Sequence, residues 1–145
     1  MTIGKQRGLG LLVLLLLALA ASGCLEQITT TRIPAGAARN FFYFVAHDEQ
    51  ADANTYWAPG LAPADAAAQI SRAATALAGY DTEVTAADAV RQDDGSMLAT
   101  VSGHFERKGE APTGTEQPLM RARLIEKGPG WRLTEFTLLC CGVSK

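Results

Sequence analysis

Apolar residues recur along this chain in three ways, and each way predicts a different kind of segment. Over residues 9–21 they are continuous, almost pure leucine, alanine and valine. After a Thr-rich stretch without either hydrophobic period, they return at helical spacing. Ala38, Phe41, Phe42 and Val45 predict an amphipathic helix over residues 35–47 with a bulky aromatic face, closed by acidic residues 48–52. Residues 53–57 predict a short second helix, stopped by Ala58, Pro59 and Gly60. A third helix is predicted from Pro63, with Asp65 near its positive end. Its apolar stripe is Ala66, Ile70, Ala73, Ala74 and Leu77, with Gly79 placed to cap it.

Beyond Tyr80 the period drops to two. Val84, Ala86 and Val90 predict one side of a first strand, with Asp88 on the same side. Asp93, Asp94 and Gly95 then form a hairpin signal. The second strand alternates Met97, Ala99, Val101, Gly103 and Phe105 against Thr100, Ser102, His104 and Glu106. A Gly/Pro/Thr loop over residues 108–117 leads to a third strand, which sets Met120, Ala122 and Leu124 opposite Arg121 and Arg123. A glycine turn at residues 127–130 leads to a last strand over residues 131–140. Three helices before a four-strand meander predict an α+β fold, the helices packed on one face of an antiparallel sheet.

The leader changes the picture most. Lys5 and Arg7 precede the apolar run, no acid appears before Glu26, and Ala21, Ser22, Gly23 and Cys24 follow. The apolar run has the length of a signal-peptide core and falls short of the roughly 20 residues that span a bilayer. The four residues 21–24 resemble the lipobox of bacterial lipoproteins, with Ala21 where leucine is commoner. That resemblance implies a signal peptide over residues 1–23, diacylglycerol on the Cys24 thiol, and cleavage before Cys24. Several acyl chains on one residue anchor stably where one alone binds marginally. Leu25 follows, without the aspartate of inner-membrane retention, so the expected address is the cell envelope, at the outer membrane if the cell is Gram-negative. Residues 24–34 form a tether and residues 35–145 a single domain.

Removing residues 1–23 from the 145 leaves 122, enough for one core. The leader holds two of the 13 bases and none of the 15 acids, so the mature chain carries 11 against 15, a net charge of −4. This is no nucleic-acid surface.

The aromatic helix (Phe41, Phe42, Tyr43, Phe44), the acidic break, and the ending Leu124-Ile125-Glu126-Lys127-Gly128-Pro129-Gly130-Trp131-Arg132-Leu133 resemble the nuclear transport factor 2-like, or cystatin-like, superfamily. They are similar in particular to small bacterial lipoproteins carrying that domain. The resemblance implies a curved sheet wrapped around the helices as a cone, often with a pocket, and dimers through the sheet's outer face. Fold alone does not assign an activity.

The residues offer no family catalytic motif, so the expected role is non-enzymatic binding of a partner protein or small apolar ligand near the membrane. The alternative is an isomerase- or cyclase-like enzyme. Asp88 or His47 would be its acid–base group and Tyr43 a donor to an oxyanion. Thr100, Ser102, His104, Arg121 and Arg123 share a polar strand face suited to a second copy or another envelope protein. His47 and His104 lack ligand spacing, so neither metal nor cofactor is expected. Cys140 and Cys141 are adjacent on an extended strand that points their side chains oppositely. We expect one buried and one exposed thiol there. A disulfide between them would need a turn just past the strand.

Overall fold

The computed structural model describes residues 33–142. The expected signal peptide, the lipobox-like residues 21–24 with Cys24, and the expected tether up to residue 32 lie outside the described residues. The described residues fall within one compact unit. It holds helices α1 (Pro34–Ala46), α2 (Gln50–Asn54) and α3 (Ala66–Leu77), then strands β1 (Tyr80–Arg91), β2 (Met97–Arg107), β3 (Gln117–Lys127) and β4 (Gly130–Leu138). The sheet is an antiparallel meander in the order β1-β2-β3-β4, so the fold is α+β.

Helix α1 starts with Pro34 in its first turn, where a missing N–H does no harm. It buries Ala37, Ala38, Phe41, Phe42 and Val45. Its end is a Schellman motif: the Glu49 N–H donates to Phe44 O at 2.8 Å and the Asp48 N–H to Val45 O at 3.2 Å. Asp48 holds the left-handed position, φ 58°, that glycine more often occupies. The acidic stretch therefore ends one helix and begins the next, because α2 starts at Gln50 instead of residue 53.

Helix α3 begins one turn later than Pro63 suggests. Asp65 stands at its N-cap position, and Asp65 accepts hydrogen bonds from Gln69 Nε2 (2.7 Å) and Arg72 (3.0 Å). Those two bonds, the Gln69 one first, hold the Asp65 carboxyl below its ordinary value. Gly79 is not in the left-handed region, and the chain passes from Ala78 into β1 at Tyr80.

The core lies between the helices and one sheet face. Phe41 sits at its centre, 4.9 Å from the Phe136 ring and about equally far from Trp57 (6.2 Å) and Tyr56 (6.3 Å). The segment carrying Tyr56 and Trp57 also covers the edge of β4. Leu133 N–H donates to Tyr56 O and Ala58 N–H to Leu133 O, at 2.8 and 2.7 Å.

Three strands each carry one extra residue: Thr85 in β1, Leu119 in β3 and Thr134 in β4. Such bulges bend a strand and raise its twist. The Thr85 bulge also switches faces. Val84 pairs with Gly103 and lies on the helix side, as do Ala87 and Ala89 opposite Val101 and Ala99. Ala86, Asp88 and Val90 lie on the outer side. The single face drawn through Val84, Ala86, Asp88 and Val90 is thus divided at Thr85.

Candidate functional site

One exposed stripe of α1 carries Arg39, Tyr43 and His47, one turn apart each. Tyr43 is 50% exposed although it neighbours the buried Phe42. Its ring stacks on His47, with centroids 3.9 Å apart and planes at 25°. His47 Nδ1 lies 2.8 Å from the Tyr43 carbonyl oxygen. A carbonyl only accepts, so Nδ1 carries the hydrogen and Nε2 is left open. The stacked pair is therefore held in place by the helix itself.

This stripe faces β1 across a cleft of about 220 Å³, lined also by Phe42, Ala46, Thr82 and Val84. A second cleft of about 410 Å³ shares Ala46 and His47 and runs past Ala74 and Thr75 of α3, and Ala78 just beyond it, to Lys108. The two make a groove with an apolar floor, an aromatic wall at Tyr43, and basic groups at Arg39, His47 and Lys108. None of those three makes an ion pair with a described residue. Asp48, at the helix end, is the acid lining the second cleft. Such an arrangement suits a flat or extended apolar molecule carrying a negative group.

The enzyme alternative takes Asp88 or His47 as its acid–base group, with Tyr43 as the donor. Tyr43 and His47 are together. Asp88 is exposed on the outer sheet face, opposite Thr100, with the sheet between it and α1. Asp88 therefore does not meet Tyr43, and of the two acid–base candidates only His47 lies beside it.

Thr100, Ser102, His104, Arg121 and Arg123 lie on the outer face, Thr100 directly opposite Arg121. Their roles differ. Arg123 is engaged with Glu135 (3.0 Å), Asp94 (3.5 Å) and Ser96 Oγ (2.9 Å), tying the β1–β2 turn to β4. Arg121 pairs with no described acid and lines a shallow groove of about 290 Å³ with Leu98, Thr137 and Leu139. His104 Nδ1 is buried without a hydrogen-bond partner.

Cys140 and Cys141 depart from the one-in, one-out expectation. Both are buried, 4% and 8% exposed, and a disulfide joins them. The strand ends at Leu138, and Cys141 takes φ 70°, so the alternation that would separate the sulfurs has stopped before them. Among the described residues no group of three or more His, Cys, Asp and Glu gathers as metal ligands would. The groove along α1 is the feature that the hydrophobic pattern did not announce. Its signal was the spacing of Arg39, Tyr43 and His47 on the polar side of the helix. No protein-family model matches the chain, and neither a curated protein nor a solved structure matches it.

Proposed function

We propose that this chain is a bacterial lipoprotein, anchored through acyl chains on Cys24 outside the cytoplasm, whose domain binds rather than catalyses. Its ligand is a small, largely apolar molecule with an acidic group, held in the groove beside Arg39, Tyr43 and His47 close to the membrane. In a Gram-negative cell the anchor lies in the outer membrane. The domain is read as a nuclear transport factor 2-like cone. Support for that shape comes from the element order and from the three bulges, which bend strands. Support for the compartment comes from the leader, where Lys5 and Arg7 precede an apolar run that ends in small residues before Cys24.

The observation that carries the reading is the groove itself. An exposed tyrosine is stacked and fixed, beside three basic groups with no described acid paired to them, over an apolar floor. The test is an NMR titration of residues 31–145 with anilinonaphthalene sulfonate, a flat apolar anion. Saturable shifts are expected at Arg39, Tyr43, His47 and Thr82. Tyr43→Ala and Arg39→Glu should each weaken binding roughly tenfold, the scale of one lost aromatic or charge-assisted contact. Shifts centred on Arg121 and Thr137 would instead move the binding surface to the outer sheet face.

A further inference from the structure

We infer that Cys140–Cys141 is a thiol–disulfide exchange site whose redox state sets the conformation of the chain just past β4. The bond cannot act as a staple between distant segments. It joins neighbours, with Cα atoms 3.8 Å apart. The chain-entropy stabilisation of a disulfide shrinks with the loop that it closes, and no loop is shorter than this one. What the bond does control is local backbone. Cys141 and Asp48 are the non-glycine residues with positive φ among those described. Asp48 sits in a helix cap that suits it, and aspartate tolerates the left-handed region. Cys141 has no such cap. Its left-handed turn at φ 70°, continued by Gly142 at φ 72°, coincides with the ring closed by its own sulfur.

That turn is coupled to the core. The Leu139 N–H donates to Leu119 O at 2.9 Å, which fixes the chain end onto the bulge of β3. Cys140 and Cys141 belong to the same buried cluster as Leu119, Met120 and Leu138. Opening the ring removes the constraint that holds Cys141 left-handed, a conformation unfavourable for an L-residue. The turn can then relax, and the Leu139–Leu119 bond with it.

The substrate class is a dithiol, such as an extracytoplasmic dithiol protein. One of its thiolates attacks the Sγ of Cys141, the less buried residue of the pair (8% against 4% exposed), next in sequence to exposed Gly142. Cys140 Sγ leaves as a thiolate and takes a proton. The second thiol of the reductant then attacks the mixed disulfide, loses its proton, and releases Cys141 Sγ, which is protonated in turn. Two electrons and two protons pass to the pair, and the reductant leaves as a disulfide.

The test uses the full chain in detergent, oxidised, with dithiothreitol as the dithiol. Alkylation mapped to the peptide carrying Cys140 and Cys141 reports their state, and amide hydrogen exchange reports the turn. The expected result is complete reduction of the pair while β2 amides keep their protection, with exchange at Leu139 accelerated at least tenfold. The double variant Cys140→Ala/Cys141→Gly, in which glycine adopts the left-handed turn freely, should keep slow exchange at Leu139 and ignore dithiothreitol. Cys140→Ala/Cys141→Ala should exchange like the reduced parent. Should alanine at both positions prevent folding, the parent with and without dithiothreitol still decides. Reduction only upon global unfolding, equal Leu139 exchange in both redox forms, or two free thiols in the oxidised chain would each overturn the assignment.

Discussion

Gly103 shows how a single residue records a packing constraint from elsewhere in the chain. It falls on the helix-facing side of β2 opposite Val84, where a Cβ would overlap the Glu83 carbonyl oxygen and meet the Val84 Cα at 3.0 Å. The obstacle is backbone at the Thr85 bulge, so a rotamer change cannot relieve it. Gly103→Ala should destabilise the domain by about 1–3 kcal/mol, read as a lower denaturant midpoint at unchanged slope. Asp94 is a second residue with a specific task. Its Oδ1 accepts from Ser96 Oγ (2.6 Å) and from the Ser96 N–H (2.9 Å), which holds its carboxyl below the ordinary value. A lowered carboxyl stabilises fully above its unfolded value of about 3.9, and the contribution is lost as pH falls through the lowered folded value. The stability gap between the parent and Asp94→Ala should therefore be fully present above about pH 5 and shrink as pH falls below it, measured by denaturation at a series of acidic pH values. The hairpin signal of Asp94 and Gly95 was legible from residue type alone. The need for glycine at 103 was not, because it depends on where β1 bulges.

At the scale of elements, the aromatic face of α1 was legible because bulky apolar residues at helical spacing have one way to be buried. Phe41 is fully buried among Tyr56, Trp57 and Phe136, whereas Tyr43 on the same helix is half exposed. Phe41→Ala should cost about 3–5 kcal/mol and Tyr43→Ala within about 0.5 kcal/mol; thermal or denaturant unfolding of the two variants checks the contrast. The strands were legible as strands, and β2 and β3 kept the faces that alternation assigned. The faces of β1 were not, since one extra residue at Thr85 reverses every side chain beyond it. That reversal carries Asp88 to the outer surface, away from Tyr43, while His47, the other acid–base candidate, stays beside it. The end of β4 at Leu138 was misplaced for a related reason. Periodicity continues through Leu139 and Cys140, while the chain turns there, with Cys141 left-handed and joined to Cys140.

At the scale of the whole molecule, the proposal joins an anchor at one end to a groove and a redox pair in the domain. A tether of about ten residues reaches roughly 35 Å when fully extended, so under this proposal the groove would lie near the membrane surface. The proposed anchor rests on the sequence alone, because export signals are read by composition and order rather than by fold. The groove was less so, because helix and strand come together only in the fold. Mass spectrometry of the mature N-terminus, after expression of the full chain in a bacterial host, tests the central claim most directly. The account predicts a chain beginning at Cys24 with diacylglycerol on its sulfur, lost when Cys24→Ser removes the thiol. A mature chain that retains Met1, or one that begins with an unmodified cysteine, would contradict it.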